Sequence, residues 1–449
     1  MLPVGQVVME TDEMKRFFLS RTTIITVLLL SLAGVLLSAL FPQRVSTSLA
    51  ELQQWQQHHP VFWRWGTTVG LDHVYTTPWF AVVLCLGFIS LVLSTIEQGK
   101  IALRKSLSVA GYSDGAAIQV RTPDDLLAKA LVRRGYLPVC RGDILKYVRH
   151  PWGYWGNFLL HLGMTVAIAA SLYIALTQNR GAANLVEGEV HTAADPWAGS
   201  DRGMLAAGPL LAVPVRLDSV RPELWPDYRV KDISSDLTFL SADNRSESRT
   251  VGVNTLLHYR GFHLYQSPDF GHAFFLEFSC RDGRKDRQIL QLPFPNSLEK
   301  PGYNDFTLNL PDGTFPLKAK YLVDAEKRSW DRGTPLLTLR LLADSGEIAG
   351  QVSLKSGEEG MLGPYRVRVL RVVKWTQITF VDIAGMPLVF AGFLIIIMGA
   401  SLQYFTPPRE IFVRREGDVC LLIWRATRFD RFYQDEFAEI LDSLRSMEG

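Results

Sequence analysis

Four uncharged, apolar runs set the limits of what this chain can fold into: residues 22–41, 74–96, 151–179 and 383–406, the third broken only by His161. Each meets the roughly 20 apolar residues that a helix needs to cross about 30 Å of hydrocarbon. Inside a bilayer every backbone N–H and C=O has to be satisfied within its own segment, so each run is expected to be a membrane helix. Lys15, Arg16 and Arg21 precede the first run, too far in for a typical signal peptide, and no small-residue cleavage site follows it. A retained anchor is the expectation.

Basic residues beside the spans give the sidedness. Between spans two and three stand Lys100, Arg104, Lys105, Arg121, Lys129, Arg133, Arg134, Arg141, Lys146 and Arg149; between spans one and two, only Arg44 and Arg64. Arg409, Arg414 and Arg415 follow the last span. The expected order is a cytoplasmic N-terminus (1–21), span one (22–41), a short outer loop with an interfacial helix (42–73) and span two (74–96). A small cytoplasmic α/β unit (97–150), span three (151–179), an outer β-rich domain (180–381), span four (382–406) and a cytoplasmic tail (407–449) complete it. Trp63, Trp65 and Trp79, with Trp152 and Trp155, suit aromatic belts. The net charge of +2 makes no argument for nucleic acid.

The cysteines exclude two chemistries. Cys85 lies in span two, Cys140 and Cys420 inside, and Cys280 outside. Without Cys-x-x-Cys the chain is no thioredoxin-like reductant, and without Cys-x-x-Cys-His it carries no covalent haem. All four are expected to be small buried hydrophobes.

In the inner unit, Thr122-Pro123-Asp124 starts a helix with Leu126, Leu127, Ala130 and Leu131 on one face, and Arg134-Gly135 ends it. Residues 136–140 and 144–149 read as a hairpin. Outside, 213–220, 228–240, 272–280, 306–310, 336–342 and 365–379 are β-branched or aromatic, separated by turn clusters such as Pro311-Asp312-Gly313. Two layers of sheet would bury such faces, so a sandwich-like domain is expected. Its histidines, His191, His258, His263 and His272, lack metal-ligand spacing and are expected in core or surface roles. Residues 429–447 follow the helical period, and 49–65, rich in Gln, Trp and His, suit one helix on the outer membrane surface. His58, His59 and His73 are expected to serve interfacial anchoring rather than ligation.

Among His, Asp, Glu, Lys and Arg, only His161 lies well inside a span, and such a group is expensive unless paired or ligated. Asn157, His161 and Thr165 follow at i, i+4 and i+8 and share one helix face. With a helix over 155–176, His161 lies roughly 7 Å to the cytoplasmic side of its midpoint. Gly156 and Gly163 permit close approach of another helix or a flat ligand. Two roles stay open: an interhelical hydrogen bond, or ligation of haem iron through imidazole. A bis-histidine site needs a second imidazole, and the other spans contain none. The second axial ligand would come from a partner, a second copy or an outer residue.

Several strings, in order along nearly the whole chain, resemble the ResB (CcsB) family of system II cytochrome c biogenesis. They are Phe41-Pro42-Gln43 closing span one; Val74-Tyr75 and Pro78-Trp79-Phe80 opening span two; and Gly153-Tyr154-Trp155-Gly156-Asn157-Phe158 before His161-Leu162-Gly163. Glu187-Gly188-Glu189 opens the outer domain. Val251-Gly252-Val253-Asn254 leads through Tyr259-Arg260-Gly261 to Tyr265-Gln266-Ser267. Two departures stand out: Asp382-Ile383-Ala384-Gly385 replaces the family's Asp-Pro-Gly, and Pro407-Pro408-Arg409 its His after the last span.

The resemblance implies a multi-pass inner-membrane subunit of a cytochrome c synthetase, binding haem b with a ResC/CcsA-type partner and delivering it to apocytochrome c. It implies that His161 is an axial ligand, with Asn157 and Thr165 on the same face, in a non-catalytic or co-catalytic subunit; the sequence shows no nucleophile–base string or phosphate-cradling loop, so no catalytic residue is assigned. The residues alone also allow a membrane-tethered assembly scaffold or a quinol-linked electron-transfer subunit. The shortage of intramembrane histidines argues against the latter.

Overall fold

The computed structural model of the chain describes residues 13–45, 47, 49–109, 117–140, 143–211, 213–227, 229–241, 246–279, 284–295, 300–310, 313–323, 330, 334–343 and 346–446. The four apolar runs are helical. Helix α1 is Arg21–Leu40; two short helices, α2 (Leu49–His58) and α3 (Pro60–Thr68), follow; α4 is Pro78–Leu107. After α5 (Asp124–Arg133) come α6 (Gly156–Thr177), α7 (Met386–Phe405) and α8 (Gln434–Arg445). Helices α1, α4, α6 and α7 are apolar around their circumference, and most of that surface is not covered by the chain itself. Helices of that kind belong in a membrane.

Several boundaries differ from the sequence expectation, each for a local reason. Span two does not stop at residue 96: α4 runs on to Leu107, with Lys15 and Lys100 pairing Glu97 at 2.6 and 3.2 Å. Span three is preceded by a 3-10 turn, Pro151–Trp155, and ends at Thr177, because Asn179 already belongs to a strand. The single interfacial helix over 49–65 is two helices broken at His59. Pro60 cannot donate to the preceding turn and disfavours helical geometry at the residue before it. The tail helix over 429–447 begins only at Gln434, since Phe429 adopts a left-handed φ of 55° and a 3-10 turn intervenes; Met447 lies outside the described residues.

The chain forms two compact units. In the first, α6 and α7 pack antiparallel on a seam of small residues spaced by sevens: Gly156 faces Gly399, Gly163 faces Gly392, and Ala170 faces Gly385. A Cβ added at Gly163 would lie 2.6 Å from the Gly392 carbonyl oxygen, and one at Gly399 would lie 2.5 Å from the Leu160 nitrogen. A repeat of seven keeps one stripe facing the partner, and glycine lets the backbones meet. The glycines of span three therefore admit another helix, not a flat ligand.

The same unit holds a small α/β domain. Strands β1 (Ile118–Val120), β2 (Leu137–Cys140), β3 (Ile144–Arg149), β19 (Arg409–Glu416) and β20 (Val419–Ala426) form one antiparallel sheet, ordered β1-β20-β19-β3-β2. Helices α5 and α8 contribute Leu127, Leu131, Ile440, Leu441 and Leu444 to its core, against Tyr147, Ile411, Val413 and Leu422. Residues 97–150 are thus not self-contained, because the tail supplies the central strand. Pairing of β3 with β19 also requires that α6 leave and α7 return on the same side. At this joint Lys146, fully buried, pairs Glu410 at 3.2 Å and donates to the Lys105 carbonyl at 2.8 Å.

The second unit is β-rich. Strands β4 (Asn179–Val186), β6 (Gly199–Arg202), β10 (Leu257–Tyr259), β11 (Phe262–Ser279), β12 (Lys285–Pro293), β17 (Glu359–Leu362) and β18 (Tyr365–Asp382) form a seven-stranded sheet. Strands β5 (Val190–His191), β7 (Val215–Leu224), β8 (Val230–Leu240) and β9 (Ser246–Gly252) form a second sheet. A third contains β13 (Gly302–Leu310), β14 (Gly313–Leu322), β15 (Leu336–Leu342) and β16 (Ile348–Leu354). Strands β11 and β18, 18 residues each, serve two cores in succession. Leu264, Phe270, Ile378 and Phe380 pack with Val215, Leu217, Leu237 and Phe239. Further along, Phe274, Leu276, Val367 and Val369 pack with Leu308, Leu317 and Leu339. Between the lobes β11 bulges at Ser267-Pro268-Asp269, where proline removes a ladder donor.

Candidate functional site

Helix α6 carries the expected face, and α4 answers it. His161 Nδ1 lies 3.3 Å from Ser94 Oγ. Asn157 Nδ2 donates to Gln98 Oε1 at 2.6 Å, and the Thr165 and Thr95 hydroxyls are 2.8 Å apart. Thr165 also donates to the His161 carbonyl at 2.7 Å, and Thr95 to that of Leu91 at 2.7 Å. Three polar residues of one span thus meet three of the next, an arrangement favoured where water offers no alternative partner.

The imidazole is half-buried, and its contact with Ser94 uses Nδ1. Among the described residues no hydrogen bond engages Nε2. A histidine that binds a metal through one nitrogen commonly has the other held by a neighbouring polar group, which fixes the tautomer and aims the ring. The geometry therefore fits an iron ligand positioned by Ser94. With α6 starting at Gly156, His161 sits about 8 Å from the helix midpoint. Ser94, Thr95 and Gln98 were not singled out from the sequence. Their signal is a polar cluster at i, i+1 and i+4 at the charged end of span two.

The remaining histidines are dispersed, and no group of three His, Cys, Asp or Glu side chains suited to a metal occurs among the described residues. His272 is buried against Tyr321 and Trp330 in the β domain. His258 and His263 stack across the β10–β11 hairpin with ring centroids 4.7 Å apart. His58 and His59 border an open cavity of about 620 Å³ with Phe41 and Trp55.

His73, at the turn before α4, bonds through Nδ1 to Asp72 Oδ1 at 2.7 Å, while Arg44 Nε reaches Asp72 Oδ2 at 2.8 Å. Burial alone would raise the Asp72 carboxyl, but the hydrogen bonds from His73 and Arg44 outweigh it and hold the group below its ordinary value. Nearby Asp201 moves the other way: burial raises it, and it accepts from Thr76.

Two strings that set the resemblance have structural work. Glu187 receives the backbone N–H of Val220 at 2.9 Å and of Lys374 at 3.2 Å, joining β7 and β18 at the end of β4. Gln266 donates to Thr376 at 2.6 Å and accepts from Ser235 at 2.7 Å, while Ser267 donates to Gln377 at 3.1 Å. Adjacent side chains of β11 thus hold both faces of the sheet at the bulge.

Comparison with known proteins finds one family along most of the chain. The sequence model described as the ResB-like family matches residues 20–349. A protein of Synechococcus elongatus named cytochrome c biogenesis protein CcsB is 26% identical over 400 residues, covering 85% of this chain and 81% of the relative. Proteins of the same name from Trichormus variabilis and a Nostoc species are 25% identical over 457 and 459 residues, each covering 94% of this chain and 92% of the relative.

Proposed function

The chain belongs to the ResB-like family, and from that premise we propose that it is a membrane subunit of cytochrome c biogenesis that holds haem through His161. In this reading a ResC/CcsA-type partner supplies the second axial ligand, and the pair delivers haem for attachment to apocytochrome c. The small α/β domain lies on the cytoplasmic side, where the basic residues cluster, and the β domain lies outside. The carrying observation is the imidazole whose Nδ1 meets Ser94 and whose Nε2 has no protein partner among the described residues. In apolar surroundings imidazole stays neutral, the form that ligates iron. This chain's contribution is to bind and orient; haem is the cargo.

A second reading has its own observation: the ladder Asn157–Gln98, His161–Ser94 and Thr165–Thr95 would equally join two helices in a scaffold. One experiment separates them. Haem content of the complex copurified with its partner should fall several-fold for His161→Ala and recover for His161→Gly when imidazole is added. Unchanged haem in the alanine variant, with the complex intact, favours the scaffold.

A further inference from the structure

A cavity of about 270 Å³ opens at the foot of the helical bundle, where the ends of α4 and α7 meet the turn before α6. Its lining includes Gln98 and Lys105 of α4, Asn157 of α6, Gln403 of α7, and Arg428 just after β20. Helix α4 sets the depth. Gln98 stands 20 residues beyond Pro78, and at 1.5 Å per residue that is about 30 Å, the thickness of the hydrocarbon. The cavity thus lies at headgroup level, on the side that the basic residues mark as cytoplasmic.

This cavity is cationic, and its charge is unanswered. Neither the Lys105 ammonium nor the Arg428 guanidinium meets a carboxylate or carbonyl among the described residues. Gln98 is engaged only as an acceptor, from Asn157, and the Gln403 amide donates to none of the described residues. All four side chains are half-buried, so a ligand can reach them. No Asp or Glu lines the cavity. Glu410, which accepts from the Tyr154 hydroxyl, is already matched by Lys146. Beside the cavity the surface turns aromatic. The Arg428 guanidinium lies 5.0 Å from the Tyr404 ring centroid, and Tyr404 is 6.3 Å from Phe429. Tyr404, Phe405, Phe429 and Phe432 are exposed, Phe405 at 82%. Bare aromatic side chains at this depth suit a membrane interface. A basic pocket beside them calls for a ligand that is anionic at one end and apolar at the other.

We propose that this cavity binds an anionic phospholipid of the cytoplasmic leaflet. Arg428 and Lys105 hold the phosphate, Gln98 and Gln403 donate to headgroup oxygens, and the acyl chains run over Ile101, Tyr404 and Phe405. The guanidinium fork matches phosphate oxygens, and a lysine past the end of the hydrocarbon reaches back along its own apolar stem. Basic pockets between membrane helices on this face recognise anionic headgroups. The volume falls below the roughly 300–1,000 Å³ of sites for drug-sized ligands, so it suits a headgroup and not a macrocycle. A lipid seated here ties α4 and α7 to the small α/β domain, whose segment after β20 supplies Arg428. The inference rests on the membrane spans and their sidedness, and not on haem ligation by His161.

The test places the full-length protein in nanodiscs of phosphatidylcholine with a minority of phosphatidylglycerol, extracts it into detergent and weighs it by native mass spectrometry. One phosphatidylglycerol should stay bound while phosphatidylcholine is stripped. Lys105→Gln combined with Arg428→Gln should lower that retention about tenfold. Arg428→Lys should lose less, since the charge remains and only the fork is gone. Arg104→Gln combined with Arg133→Gln removes two exposed cations outside the cavity and should retain lipid like the parent. Should the pocket variant lose its fold, the parent alone still reads the site: added phosphatidylglycerol should raise its melting temperature, and phosphatidylcholine should not. His161→Ala should keep the lipid, which separates this proposal from the haem reading. No preference for phosphatidylglycerol, or an equal loss in the exposed-cation variant, would overturn it. So would displacement by glycerol phosphate, which marks a site for free phosphate, or by haem, which gives the cations to the porphyrin carboxylates.

Discussion

At the level of single residues, Ser94 and Asp72 are the informative positions. If Ser94 aims the His161 ring, Ser94→Ala should lower haem retention less than His161→Ala does. Removing a neighbour that orients a metal ligand commonly costs 10- to 100-fold in affinity, and a 3.3 Å contact belongs near the lower end. The checks are haem stoichiometry and a shifted absorption band in the purified complex. Asp72 gives a pH prediction. Its carboxyl sits below the ordinary value of 3.8 when folded, so its contribution to stability is complete above that value and is lost as pH falls through the lower one. Asp72→Asn should cost about 1–3 kcal/mol at pH 7 and should blunt the loss of stability below about pH 4. Denaturant unfolding followed by tryptophan fluorescence reads both. His161, Asn157 and Thr165 were legible because an imidazole in hydrocarbon is conspicuous. Their partners were not, since Ser and Thr in helices commonly bond their own backbone, as Thr95 does.

At the level of elements, the seam between α6 and α7 makes the sharpest demand. Gly163→Val or Gly392→Val would drive side-chain carbons into the opposing backbone. Either change should cost about 1–3 kcal/mol, seen as a lower melting temperature in detergent, with alanine intermediate. The spans were readable because the bilayer imposes composition and length on any segment that crosses it. Their ends were harder. Nothing in the apolar count says that α4 continues through Glu97 and Lys100, because outside the hydrocarbon a charged helix is as acceptable as a loop. Among the β segments, 336–342 coincides with β15, whereas 272–280 captures only the second half of β11. The strand continues through a bulge whose Ser-Pro-Asp reads locally as a turn.

At the scale of the molecule, the small sheet was the least legible part. Arg409 and Glu410 look like surface residues in sequence, yet they are 7% and 2% exposed. Arg409 meets Glu436, which also receives Arg149 at 2.8 Å and Tyr136 at 3.0 Å. Partners so far apart along the chain leave no local pattern. Deleting residues 409–449 should therefore unfold 118–149 as well, visible as protease cleavage there that is faster by an order of magnitude or more, with the β domain still resistant. There is also a consequence for biosynthesis. Strand β3 keeps a bare edge while the third helix, the whole β domain and the fourth helix are being made, and only the arrival of β19 covers it. Closure of that sheet is thus a built-in proof that the last two crossings were completed, and a chain stalled before then would display an unfinished edge to the quality-control proteases of its compartment.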